Sequence, residues 1–289
     1  MAIKSALINV MEKAARKAAR GLLRDFGEVE NLQVSKKGPS DFVSAADLKA
    51  ERLLRRELGN ARPGFGFLLE EAGEIPASDG PGGDDFTRWV VDPLDGTTNF
   101  LHGIPHFSIS IAVEHCTVQG STVQGERLRR EIVAGLIYDP LRDEIFWGEK
   151  GAGAFVNNRR LRVSARQSLS DSVIATGIPV QGWAGHDIFL AELPEIMQVC
   201  AGVHRAGSAA LDLAYVAAGR YEGYWERGLN PWDIAAGILL VREAGGYVTE
   251  ISGGSDMLES GSVLAASEQL HGDIAKALSR AQTKQPNKT

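Results

Sequence analysis

The chain has 289 residues, 31 Lys and Arg against 37 Asp and Glu for a net charge of −6, and 44% apolar residues. That mixture excludes a disordered or collagen-like chain, and its acidity argues against a broad nucleic-acid-binding face. The length allows one large domain or two intimate halves around a core that needs no staples. The two cysteines, Cys116 and Cys200, sit in no CxxC or Cys/His spacing and read as reduced core residues. The first apolar run is broken by Glu12, Lys13, Arg16, Lys17 and Arg20, and no stretch approaches the roughly 20 apolar residues of a membrane span. A cytoplasmic location is the expectation.

In chain order, Ala6, Val10, Ala14 and Ala18, with Leu7, Met11, Leu22 and Leu23, follow helical spacing and predict a helix over 2–27. Residues 31–41, with Gly38-Pro39, predict a polar loop. Residues 44–58 predict a helix with Ser44 as N-cap. Residues 65–69 are a short apolar segment ending at Glu70-Glu71, and 76–85 read as a flexible connector. Residues 88–92 predict a strand, followed by the turn-rich PLDGTTN. Residues 106–114 alternate with period two, as a half-buried strand does. Residues 132–138, 144–147 and 153–156 predict further antiparallel strands. Between the first two, 115–130 reads as an extended hairpin loop in which TVQG occurs at 117–120 and 122–125. The second half alternates strands (172–176, 203–206, 221–226, 247–250, 262–266) with helices (186–201, 208–219, 231–244, 268–281). Pro231 suits a helix start and Gly245-Gly246 a stop, and 283–289 reads as a frayed tail. Interleaved helices and strands predict an α/β or α+β layered fold.

The chemistry is concentrated in Asp92-Pro93-Leu94-Asp95-Gly96-Thr97-Thr98-Asn99. Two carboxylates three apart follow an apolar strand, Pro93 stiffens the chain between them, and Gly96 allows close backbone approach. Hard cations such as Mg²⁺ take carboxylates plus substrate phosphate, and free amides at a helix start suit an anion. The bland alternative is a polar turn with an Asx cap. Glu70-Glu71 reads either as an exposed helix start or as a source of a third oxygen ligand. Asp233 opens the 231–244 helix beside Trp232, where partial burial calls for a partner. His102 and His106 read as structural hydrogen-bonders, and Arg127, Arg129 and Arg130 as a solvated loop tip.

Taken together, WVVDPLDGTTNFLH at 89–102, WDIAAGILLVREAGG at 232–246 and LLEEAG at 68–73 resemble the inositol monophosphatase family. That family lies within the Mg²⁺-dependent, lithium-sensitive phosphatase superfamily that includes fructose-1,6-bisphosphatase. SDFVSAADLKAE at 40–51 and RAGSAALDLAYVAAGRYEGYWE at 205–226 match in order and spacing, so the resemblance covers nearly the whole chain. It implies a layered α-β-α-β-α sandwich as one unit. The N-terminal half, about 1–165, would carry most metal ligands, and the C-terminal half, about 166–282, Asp233 and substrate contacts. It implies two or three Mg²⁺ ions. Glu70, Asp92 and the Leu94 carbonyl would hold the first, and Asp92, Asp95 and Asp233 the second. Gly96 and Thr97 would give N–H groups to the phosphate. Thr97, backed by Asp47, and Glu70 would be catalytic. Ala209, Glu226 and Asp233 would join Gly96 and Thr97 at the substrate. Lys36 would lie in a segment closing over the metals.

The implied activity is hydrolysis of a small polyol phosphate, most simply inositol 1-phosphate. Fructose-1,6-bisphosphatase, histidinol-phosphatase and nucleotide 3′-phosphatase remain alternatives on the same metal core. The resemblance implies a homodimer, with no membrane partner. Some bacterial members also bind transcription or RNA-processing machinery, which leaves an interaction scaffold as an alternative of another class. The chain departs from the family at 115–130, where about 13 residues stand in place of a tight turn.

Overall fold

Ser5 accepts a hydrogen bond from the Ile8 amide and starts α1 (Ala6–Phe26), the first element of a computed structural model that describes residues 3–28, 34–38, 41–76, 85–119, 127–179 and 185–284. The polar loop expected at 31–41 is corrected. There β1 (Val34–Gly38) pairs antiparallel with β2 (Asp41–Ser44), and residues 31–33, 39 and 40 lie outside the described residues. A polar two-stranded ribbon carries no apolar alternation, so the pattern that marks a half-buried strand is missing from its sequence. Next, α2 (Ala45–Ala61) runs three residues past Leu58.

The first sheet is built from β3 (Gly66–Leu69), β4 (Gly73–Ile75), β5 (Asp85–Asp95), β6 (Ser108–Gln119), β7 (Arg127–Asp139), β8 (Glu144–Glu149), β9 (Gly153–Val156) and β10 (Arg159–Arg160). Its order is β10-β9-β8-β7-β6-β5-β3-β4, antiparallel except for β3 beside β5. A short helix, α3 (Thr97–Leu101), follows β5. The second sheet has the order β12-β11-β13-β15-β14, from β11 (Val173–Thr176), β12 (Gly202–His204), β13 (Gly223–Glu226), β14 (Gly246–Thr249) and β15 (Val263–Ser267). Among these strands run α4 (His186–Met197), α5 (Ala209–Ala217), α6 (Pro231–Glu243) and α7 (Met257–Ser260), and α8 (Glu268–Lys284) closes the described chain.

Three separate apolar cores show how the layers stack. Trp89 and Val91 of β5 pack with Leu22, Leu54 and Leu58 of α1 and α2. Val90 points the other way and packs with Leu213 and Ile234 of α5 and α6. On the far side of the second sheet, Ile174 and Leu264 pack with Ile196 and Leu278 of α4 and α8. The order is therefore α1/α2, sheet, α5/α6, sheet, α4/α8, the five-layer sandwich. Each large side chain removed from water here contributes roughly 1.5–3 kcal/mol. No helix among the described residues is long and apolar enough to cross a membrane.

Three further boundaries differ from the sequence reading. The loop expected at 115–130 is mostly strand, because β6 and β7 stay paired out to Gln119 and Arg127. The extra residues lengthen a hairpin, and only 120–126 lie outside the description. Of the tail expected at 283–289, residues 283 and 284 belong to α8, and 285–289 lie outside the described residues. Of the connector expected at 76–85, residues 77–84 lie outside the described residues, and Asp85 is already in β5.

Candidate active site

At the end of β5, Asp92 pairs with Ser110 and Asp95 with Ser108, so β5 carries one extra residue against β6. Strand side chains alternate faces, and residues three apart would point to opposite sides. The bulge changes that parity, and Asp92 and Asp95 line the same cavity. Pro93, which has no N–H to offer the ladder, sits at the bulge. The Leu94 amide donates to Asp92 Oδ1 at 2.9 Å and fixes that carboxylate. Gly96 follows at φ +96°, and an added Cβ would lie 3.1 Å from the His106 carbonyl, so the turn into α3 requires glycine. The first N–H groups of α3 have no acceptor within the helix.

Other elements bring the remaining groups. Glu70 follows β3 and lines the cavity. Its neighbour Glu71 does not, and its amide donates to Glu51 Oε2 at 2.8 Å. Asp233 sits in the first turn of α6 and accepts from the Asn230 amide at 2.7 Å. Asp47, fully buried in α2, accepts from the Thr97 hydroxyl at 3.2 Å. Asp95 Oδ2 accepts from the Ser208 hydroxyl and from the Ala210 amide at 2.9 Å, tying the first sheet to the start of α5. Glu226 ends β13, receives the Tyr224 hydroxyl at 2.5 Å, and lies so close to Gly177 that a Cβ there would come within 1.8 Å of Oε1.

The cavity has a volume of about 180 Å³. It brings together Glu70, Asp92, Leu94, Asp95, Gly96, Thr97, Ala209, Glu226 and Asp233 from the sequence reading. Asp47 touches it through Thr97. Lys36 lies on β1 opposite Phe42, and its side chain is outside the described residues. Sequence reasoning missed two charged residues of the lining, Arg205 and Asp212. Asp212 had a signal, a lone carboxyl in the apolar run AALDLAYVA. His106 is corrected: its buried Nε2 has no hydrogen-bond partner among the described residues, and its ring meets Tyr215 edge-on at 6.2 Å. A larger cavity of about 480 Å³ near Phe65, Arg88 and His115 gathers no such set of carboxylates.

The electrostatics are one-sided. Burial, then the charges of Glu70, Asp95 and Asp233, push Asp92 well above the usual carboxylate range. Burial and Asp95 do the same to Asp233. Burial takes Asp95 up to about 6 even against its Ser208 and Ala210 hydrogen bonds. Burial likewise takes Glu226 up to about 7. Carboxylates buried this close cannot all stay ionised alone: they hold protons or take up a cation. The donors are hard oxygens without sulfur or imidazole, which suits Mg²⁺ better than zinc or copper. Among the described residues, no three Asp, Glu, His or Cys side chains close on one point as a finished metal cage. The carboxylates line one cavity without closing on a point, and Mg²⁺ is ordinarily held by one or two carboxylates together with water and substrate phosphate. The residues therefore fit divalent magnesium.

The model of the inositol monophosphatase family matches residues 4–283. The chain is 56% identical to an inositol-1-monophosphatase of Mesorhizobium japonicum, over 96% of this chain and 97% of that one. It is 40% identical to the Nus factor SuhB of Vibrio cholerae, over 90% and 91%. The crystal structure of the extragenic suppressor protein suhB from Bartonella henselae superposes with a TM-score of 0.85 at 53% identity, covering 95% of this chain and 98% of that one.

Proposed function

The chain belongs to the inositol monophosphatase family and is a phosphoric monoester hydrolase, and from that premise we propose that it hydrolyses a small polyol phosphate, most simply inositol 1-phosphate, with Mg²⁺ at the acidic cavity. The observation that carries the reading is the convergence of Glu70 after β3, Asp92 and Asp95 of β5 and Asp233 of α6 on a cavity that also holds Thr97. In this reading Glu70, Asp92 and the Leu94 carbonyl hold one ion, and Asp92, Asp95 and Asp233 another.

Phosphate monoesters hydrolyse so slowly unaided that positioning and charge neutralisation must do most of the work. When bound, two or three Mg²⁺ ions supply positive charge to the phosphoryl oxygens and acidify water. The chain's own groups do the rest. The Gly96 and Thr97 amides hold the phosphate. The Thr97 hydroxyl, with Asp47 behind it and Glu70 nearby, orients the attacking water and takes its proton. Ala209, Glu226 and Asp233 bind the alcohol side. Water adds to phosphorus, the ester oxygen leaves with a proton as the free polyol, and phosphate remains. The same proposal takes the chain as one unit, its halves at about 1–165 and 166–282 meeting at the site. Lithium sensitivity, a homodimer and a cytoplasmic location go with it.

The test is Mg²⁺-dependent phosphate release from inositol 1-phosphate, fructose 1,6-bisphosphate, histidinol phosphate and 3′-phosphoadenosine 5′-phosphate. The expected result is turnover concentrated on inositol 1-phosphate. Dominant turnover of another ester would replace the substrate. A second reading, a protein partner in transcription machinery, is favoured by the likeness to the Nus factor SuhB. Substituting Arg129 and Arg130, exposed near the end of the long hairpin, would then abolish partner capture and spare hydrolysis.

A further inference from the structure

Two charged residues of the cavity have no part in the reading above. Asp212, in the first turn of α5, is 1% exposed, and its buried Oδ1 has no hydrogen-bond partner among the described residues. The rest of α5 is apolar, so packing gives no reason for a carboxyl group there. A buried acceptor of this kind is ordinarily matched by a donor. Arg205, exposed just after β12, is the single cation among the described lining residues. Its guanidinium lies across Gly207, where an added Cβ would come within 2.9 Å of Nη1. Arg205 attracts both Asp212 and Glu226. The three residues thus gather acceptors and a fork of fixed donors on one part of the lining. Among the described residues, no aromatic ring lines the cavity to stack on a base.

We propose that Arg205 and Asp212 determine specificity together with Glu226, reading the free hydroxyls of the ester and selecting a polyol phosphate over an ester that has none. A hydroxyl carries one donor and two acceptor lone pairs, so it can donate to Asp212 Oδ1 or Glu226 while accepting from Arg205. A site built to hydrogen-bond hydroxyls rejects an analogue lacking them, because its buried polar groups are then left unpaired. This inference rests on the polyol-phosphatase reading.

The experiment compares kcat/KM for inositol 1-phosphate with that for p-nitrophenyl phosphate, at saturating Mg²⁺, in the full chain and in Arg205→Met, Arg205→Lys and Asp212→Leu. The ratio of the two should fall about tenfold in Arg205→Met and in Asp212→Leu, through KM for the polyol ester. Arg205→Lys should fall between Arg205→Met and the unaltered chain. A ratio unchanged in Arg205→Met, with both esters affected alike or neither affected, would overturn the inference. Arg205 is exposed, so this variant decides the matter even where Asp212→Leu fails to fold. If the unaltered chain hydrolysed neither ester, the functional reading would fail first and the inference with it.

Discussion

The Thr97 hydroxyl lies 3.2 Å from Asp47 Oδ1, which joins the first turn of α3 to a fully buried carboxylate of α2. The same hydroxyl is 3.1 Å from the Leu94 carbonyl. A hydroxyl held this way can orient a water and pass on its proton. Thr97→Val should lower kcat by about 10²–10⁴-fold, the usual worth of a positioned acid–base group. Thermal unfolding should move little by comparison. Steady-state kinetics on inositol 1-phosphate check this, and an unchanged kcat would remove Thr97 from the mechanism.

Carboxylates forced upward in pKa make the metal-stripped chain sensitive to pH. Glu226 rises from 4.5 to about 7 on folding, chiefly by burial. A raised acid pKa means that the folded state holds its proton longer than the unfolded chain. The stability this gives is complete below about pH 4.5 and is lost as pH climbs through about 7. Chelator-treated protein should therefore melt at lower temperature at pH 8 than at pH 5.5. Glu226→Gln should flatten that slope. Calorimetry across the range measures it, and a melting temperature that rises with pH would contradict the assignment.

Much of this site was legible because its signals are local. DPLDGTT and PWD carry carboxylates, turn formers and a helix start within a few residues of each other. Spacing alone left Glu70 and Glu71 undecided and only the family resemblance named Glu70; the structure turns Glu70 to the cavity, while the Glu71 amide goes to Glu51, 20 residues earlier. Arg205 was invisible because its place depends on Gly207 beneath it. Along the chain, helices with long apolar stripes were read within a few residues. The β1–β2 ribbon was missed because VSKKG and DFVS carry no long apolar alternation, and the ends of β6 and β7 because their pairing continues past the apolar alternation.

Gly96 should not tolerate a side chain. At φ +96° an alanine is strained, and its Cβ would meet the His106 carbonyl at 3.1 Å and that of Gly207 at 3.3 Å. Gly96→Ala should cost about 1–3 kcal/mol in urea unfolding. It should also reduce kcat, since the turn carries the Thr97 amide. Wild-type stability and rate together would refute the geometric requirement.

Outside the acidic cavity's lining, Arg88 Nε and Glu114 Oε2 form a 2.5 Å ion pair with both side chains nearly inaccessible. Arg88→Met leaves Glu114 buried without its partner and should destabilise by about 3–5 kcal/mol. Replacing both, as Arg88→Met with Glu114→Leu, should recover most of that loss. Denaturant titration of the two variants separates the buried-charge cost from the loss of packing.

If Glu70, Asp92, Asp95 and Asp233 hold divalent cations for phosphate-ester hydrolysis, phosphate release from inositol 1-phosphate, measured with and without Mg²⁺ in the unaltered chain and in Asp92→Asn, shows it. Turnover should occur only with Mg²⁺. Asp92→Asn should lose at least about 10³-fold in turnover while still folding. Equal turnover in the presence of chelator, or full activity in Asp92→Asn, would contradict it.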